Sequence, residues 1–347
     1  MSDNVYRCLF LFVPLLCATT ALAKQQSPSV QPGTGRIMLD VVVTPKSGPP
    51  VSGLQQQDFK LIDNKAPQTI TAFQAVDGRQ APVRIILLID AVNTSFQSVA
   101  YERDQIDKFL RADGGHLAHP TAFAVLTDRG TQIQEGSSSD GDALRGSLDQ
   151  YTIGLRNIRR SEGFYGAADR FDLSLKGLRE LAEHEASRPG RKIILWISPG
   201  WPLLSGPGVQ LDGKQQQQFF ADIVNLSTQL RQARITLYSI DPLGTNDIGL
   251  RTFYWQEFLK GVSKPSQVQI GDLGLQVLAT QSGGMAYNSS NDVATELQKC
   301  VADTSAYYEI SFDPPQGDQP HEYHQIEVHM AKSGLTAHTR QGYYSQP

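Results

Sequence analysis

Three short, unbroken apolar runs, at 83–90, 192–198 and 235–241, constrain the fold of this chain most. A continuous apolar run of this length is expected for a strand buried on both faces, as in a parallel sheet. Helical periodicity fills 99–110, 143–151, 173–184, 216–232 and 272–281, so strand alternates with helix, and helices are expected on both faces of the sheet. Residues 122–127 and 131–134, joined at Asp128-Arg129-Gly130, read as a hairpin at one edge. Pro189-Gly190 closes the helix that precedes the second run.

The chain ends follow a different rhythm. Residues 36–43 are β-rich, and 59–65 and 69–76 alternate apolar and polar, with turn chemistry at 45–53. Alternation returns at 306–312 and 324–330, and a turn at Lys332-Ser333-Gly334 leads into 335–340. A β unit as small as either set cannot close a core alone, so the two sets are expected to pair. The expected organisation is a signal peptide at 1–23, a flexible leader at 24–35, a β module at 36–80, an α/β domain at 81–304, and strands at 305–347 that complete the β module.

The first 23 residues carry the marks of export: Arg7, an apolar run from Cys8 to Cys17, and Ala21-Leu22-Ala23 before the expected cleavage. Leu16 is large for the residue preceding a lipidated cysteine, which weighs against Cys17 as a lipid anchor. No later stretch approaches the roughly 20 apolar residues of a transmembrane helix. Export removes Cys8 and Cys17, leaving Cys300 alone in a helical pattern with Val293 and Leu297, where a buried hydrophobe is expected. A formal net charge of -4 over 347 residues, without any Lys/Arg-rich block, gives no nucleic-acid footprint.

In order along the chain, Leu39-Asp40-Val41-Val42-Val43-Thr44, Val51-Ser52-Gly53-Leu54 followed by Asp58-Phe59, Leu88-Ile89-Asp90-Ala91-Val92-Asn93-Thr94, Pro189-Gly190-Arg191-Lys192 and Gly342-Tyr343-Tyr344 resemble the von Willebrand factor A-related proteins of the Acidobacteria type. The resemblance implies a six-stranded, doubly wound, mainly parallel A-type sheet flanked by a β-sandwich-like module, and it implies binding rather than catalysis. It also implies a metal-ion-dependent adhesion site, in which Mg²⁺ or Mn²⁺ is held by a first-loop Asp-x-Ser-x-Ser, a second-loop Thr and a third-loop Asp. Mg²⁺ needs six oxygens at near-octahedral angles. The match here is degenerate: Asp90 and Thr94 fit, Val92 offers no oxygen, Ser174 takes the second-loop place, and Ser198 stands where a carboxylate is usual. Asp172 and Asp241 lie close enough in the pattern to restore charge through water. The alternative is no ion, with Asp90 and Thr94 capping the next helix.

Open α/β sheets bind ligands beyond the carboxyl ends of their strands, where chain order reverses, and in the A-type order that the resemblance implies this crevice lies between Asp90 and Ser198. Asn93, Asp241 and Trp201 are expected on its rim, with Trp201 either exposed to a partner or packed on its own loop. The expected partner is a protein or cell-surface polymer; a structural component of an envelope assembly would show the same pattern. A serine hydrolase using Ser198 is a weaker alternative, because Trp196 stands where the elbow needs glycine and Pro199 has no N–H for an oxyanion. His321, His324 and His329 lie on a strand-like stretch and read as solvated, and Arg156, Arg159 and Arg160 as a solvated basic loop. The segment 244–268 holds Phe253, Tyr254, Trp255 and Phe258 and is expected to dock on the β module rather than leave four aromatics in water.

Overall fold

The computed structural model describes residues 35–152, 163–201, 210–244, 253–315, 317 and 319–346. The expected signal peptide, the leader up to residue 34 and Arg156, Arg159 and Arg160 lie outside the described residues. In chain order the elements are β1 (Ile37–Pro45), β2 (Phe59–Asp63), β3 (Ala66–Gln68), β4 (Ala72–Asp77), β5 (Val83–Asp90), α1 (Phe96–Arg111), β6 (His116–Thr127), β7 (Gly130–Ile133), β8 (Ser138–Asp140), α2 (Gly141–Thr152), α3 (Gly163–Ala186), β9 (Arg191–Ile197), α4 (Gly213–Gln232), β10 (Ile235–Ile240), α5 (Leu275–Gln281), β11 (Ala286–Tyr287), α6 (Val293–Ala302), β12 (Ala306–Phe312), β13 (Tyr323–Met330), β14 (Leu335–His338) and β15 (Gly342–Tyr344).

The central sheet has seven strands rather than the six expected, running β11-β10-β9-β5-β6-β7 with β8 also pairing to β6. Its inner pairs are parallel, and β7 and β8 are antiparallel to β6. The three apolar runs are its middle strands, and side-chain alternation divides them between two cores. Ile86, Leu88, Ile194, Trp196 and Leu237 pack under α3, α4 and α5. Ile85, Leu87, Ile193, Leu195 and Ile240 pack under α1, α2 and α6, where Cys300 is also buried. Gly190 ends the α3 turn at φ +80°, and a Cβ there would stand 1.8 Å from the Pro82 carbonyl oxygen, so no side chain fits.

Several elements differ from expectation: β6 begins at His116 rather than at 122, α5 begins at Leu275 rather than at 272, and the short strand β11 carries no expected run. Helix α3 begins ten residues before the expected start at 173, because Phe171 and Arg170 are buried and tertiary packing outweighs the helix-weakening Gly163 and Gly166. Strand β8, rich in serine, carries no apolar pattern to reveal it.

The strands of the two chain ends interleave. One four-stranded antiparallel sheet runs β14-β1-β12-β4, the other β15-β13-β2-β3, and they share a core of Leu39, Val41, Phe59, Leu61, Ile310, Phe312 and Ile326. Paired tyrosines join this core to the α/β cores. Tyr308 and Tyr343 point into the shared core, while their neighbours Tyr307 and Tyr344 point into the two cores of the central sheet. Consecutive strand residues face opposite ways, so each pair pins both layers at once. Of the segment 244–268, residues 253–268 are described. Trp255 is buried, Tyr344 donates to the Val262 carbonyl at 3.0 Å, and a Cβ on Gly261 would strike the Tyr323 ring, so this part packs against β13 and β15, whereas Phe253 is exposed, contrary to expectation.

Candidate functional site

The carboxyl ends of β5 and β9 lie side by side, with Ile89 in register with Ile197. Asp90 ends β5 and is 1% exposed. A buried carboxylate needs hydrogen-bond donors for both oxygens. Oδ1 accepts the backbone N–H of Val92 at 2.9 Å and of Asn93 at 2.8 Å. Oδ2 accepts the Asn93 amide at 2.8 Å, the Trp196 indole N–H at 3.1 Å and the Ser198 hydroxyl at 2.7 Å. Five uncharged donors therefore surround the two oxygens.

The structure brings Asp90, Asn93, Ser174 and Ser198 together and directs their polar atoms at one another. The Asn93 amide also donates to Ser174 Oγ at 2.8 Å, and Ser174 Oγ donates to the Arg170 carbonyl at 2.7 Å. Ser174 thus lies within α3, where a serine hydroxyl commonly bonds back to the preceding turn, and not at the head of a helix as expected. Ser198 Oγ accepts the Gly200 N–H at 2.9 Å; Gly200 holds φ +80°, with its Cα hydrogens against the Gln276 amide. The helix after Asp90 is capped by Ser95, whose side chain accepts from Ser98 N, so Asp90 shapes the loop and Thr94 is not the cap.

Thr94 is buried against Glu102, a residue not singled out from sequence. Burial, with Asp90 next and Asp241 least, pushes the Glu102 carboxyl up to about 9, opposed by the Thr94 hydroxyl. The Thr94 Oγ and one Glu102 oxygen are buried without a well-formed hydrogen bond. An acidic residue spaced four before Ile106 and seven before Phe109, on the apolar stripe of α1, was the available sequence signal. Asp241 directly follows β10 and is buried, accepting the Leu243 N–H at 2.9 Å. Asp172 is exposed and has Asp169, Arg179 and Asp222 as its charged neighbours.

The expected rim is corrected in one respect. Trp201 is buried: its indole donates to the Leu273 carbonyl at 3.1 Å and its ring lies 5.4 Å from Trp196. A large apolar ring with a donor to satisfy gains more from this than from water. Among the described residues the most exposed aromatic side chain is Tyr165, in the first turn of α3, at 80%; Phe253 and Tyr101 are also exposed. His324, expected in solvent, is buried, bonded through Nδ1 to Asp63 at 2.9 Å and stacked on Tyr343, which also donates to Asp63. His329 is exposed beside Glu327.

The donor set does not fit a divalent cation. An ion shared by Asp90, Thr94, Ser174 and Ser198 needs their lone pairs to converge. Asp90 already accepts five hydrogen bonds, Ser198 donates its proton to it, Thr94 faces Glu102, and an N–H donor separates Asp90 from Ser174. Among the described residues no group of three His, Cys, Asp or Glu side chains is placed to hold a metal ion.

No protein-family model matches the sequence, and no curated protein matches it. Among solved structures the chain is similar to the human COPII-coat protein Sec24c, at 9% identity and TM-score 0.37, over 77% of this chain and 44% of that one. It is similar to the SpRpn10 VWA domain, at 13% identity and TM-score 0.31, over 62% of this chain and 93% of that one. It is similar to the pilus adhesin SpaC from Lactobacillus rhamnosus GG, at 9% identity and TM-score 0.36, over 85% of this chain and 49% of that one. The chain spans less than half the length of Sec24c and of SpaC. Likenesses of this strength leave fold and site to be argued from strand order and side chains.

Proposed function

We propose that this is an exported, non-enzymatic binding protein that recognises a protein or cell-surface polymer at the carboxyl-end crevice of an A-type sheet. Strand order supports the A-type reading. Numbered along the α/β domain without β8, the six strands lie third, second, first, fourth, fifth, sixth, as in doubly wound folds, with the reversal between β5 and β9. Export rests on residues 1–23. Among the described residues no helix is long and apolar enough to cross a membrane.

The observation that carries the binding reading is Tyr165. Helix α3 has 24 residues and β9 has seven. At about 1.5 Å per helical residue and about 3.3 Å per strand residue, α3 outruns its strand by roughly 13 Å. The helix leads into the amino end of β9, so the overhang is at the carboxyl end, and Tyr165 is on it. An exposed tyrosine beside a ligand crevice suits a partner surface. Against hydrolysis, the Ser198 hydroxyl gives its proton to Asp90 rather than to a histidine, and Pro199 follows it.

A second reading, a structural part of an envelope assembly, is favoured by the β module. A concavity of about 590 Å³ opens there beside Gln57, Lys60, Pro67 and Ile70, next to β3, which ends its sheet. A photo-cross-linking residue in place of Tyr165, compared with one in place of Gln57, separates the readings in the exporting cell. A discrete adduct from position 165 and none from 57 supports recognition at the crevice. Adducts from 57 alone support assembly through the β module, and S198-dependent turnover on an ester panel would overturn the non-enzymatic reading.

A further inference from the structure

We propose that the side-chain amide of Asn93 takes the place of a divalent cation in this crevice, making the site metal-independent and one substitution away from holding a metal. The resemblance would have an ion held by residues at the first-loop and second-loop places, which Asp90 and Ser174 occupy here. The Asn93 Nδ2 connects the two, 2.8 Å from Asp90 Oδ2 and 2.8 Å from Ser174 Oγ. Its two N–H groups supply two donors in one plane.

The orientation of the amide follows from its neighbours. Ser174 has spent its proton on the Arg170 carbonyl, so it offers Asn93 only lone pairs. Asp90 Oδ2 likewise accepts from Trp196 and Ser198. Turning the amide would set its carbonyl oxygen against two acceptors, so the nitrogen faces them. That nitrogen is no metal ligand, because its lone pair is delocalised into the amide and its hydrogens point at the position an ion would need. The Trp196 indole, 3.1 Å from the same Oδ2, is a separate donor and does not occupy the place of the amide. It donates from a ring buried in the core and cannot turn away as a hydroxyl can.

Replacing the amide nitrogen by oxygen reverses this chemistry. Asn93→Asp would face Asp90 with a second carboxylate beside Ser174, a charge and donor set suited to a hard cation. Without the ion the two buried carboxylates repel and one must keep a proton. The inference needs no partner, so it stands or falls separately from the cross-linking at Tyr165.

The test is calorimetric titration of Mn²⁺ into the purified mature chain and its variants, with thermal unfolding recorded with and without the ion. The wild type is expected to give no saturable heat at millimolar Mn²⁺ and an unchanged midpoint. Asn93→Asp is expected to bind Mn²⁺ and to gain several degrees in its presence. Asn93→Ser, which also removes the donor nitrogen and leaves a hydroxyl, serves as the second variant if repulsion prevents Asn93→Asp from folding; refolding of either variant by Mn²⁺ supports the proposal. Saturable binding by the wild type that Asp90→Asn or Glu102→Gln abolishes would overturn it. So would folded Asn93→Asp and Asn93→Ser proteins that both ignore the ion, or variants that stay unfolded with and without it.

Discussion

At the amino ends of its strands the central sheet buries cations, and at the carboxyl ends it buries carboxylates. Arg191 and Lys192 begin β9, and Arg234 precedes β10. Arg234 pairs with Asp40 of β1 and Glu309 of β12, and Arg191 lies 5.0 Å over the Tyr307 ring while donating to the Asp303 carbonyl. Lys192 donates to the Ala233 carbonyl at 2.9 Å, and burial pulls it down to about 8. The β module is thus the fixed counter-charge of that end. At the other end Asp90 is met by uncharged donors, and Glu102 is pushed up to about 9 so that it holds its own proton at neutral pH. One end uses charge pairing within the chain; the other uses neutral donors and a proton.

Substitutions at the two ends should differ in size. Arg234→Ala leaves Asp40 and Glu309 facing each other, partly buried, and is expected to cost about 3 kcal/mol in urea unfolding, the largest single effect. A cost under about 1 kcal/mol would mean that the module is held by apolar packing alone. Asp90→Asn turns one acceptor into a donor among five donors and is expected to cost about 2 kcal/mol by the same measurement.

Glu102 gives the comparison a pH signature. Its folded-state value lies above the ordinary 4.5, so the unfolded chain releases the proton first and stability falls as pH rises from about 4.5 towards about 9. Glu102→Gln keeps the neutral shape and removes that fall. Relative to the wild type, the variant should gain at least about 1 kcal/mol between pH 5 and pH 8.5. Parallel stability curves would show that Glu102 ionises freely. Tyr165→Ala, on the surface, should change stability by less than about 0.5 kcal/mol while removing a contact with the partner.

The strands and most helices were legible because burial on both faces leaves unbroken apolar runs and helix faces leave a 3.6-residue period. Asp90, Ser174 and Ser198 were legible as neighbours only through the resemblance to A-type sheets. What they do together was not. Asn93 acquires its role from Ser174, 81 residues away, and Trp196 from Asp90, 106 residues away, and no local pattern records which atoms meet. The position of Ser174 was misread because the head of α3 is held by tertiary contacts of Arg170 and Phe171 rather than by propensity. For Trp201 the sequence allows rim or core, because a tryptophan after a Pro-Gly turn fits either until Leu273 supplies its acceptor.

The central claim is that the buried Asp90 carboxylate of the crevice is satisfied from within. Thermal unfolding of the wild-type mature chain in EDTA and in millimolar Mn²⁺ or Mg²⁺ tests it most directly, since an ion bound to the folded state alone must raise the midpoint with its concentration. The account predicts one midpoint in all three solutions. A midpoint that rises with the ion, and no longer does so in Asp90→Asn, would contradict it.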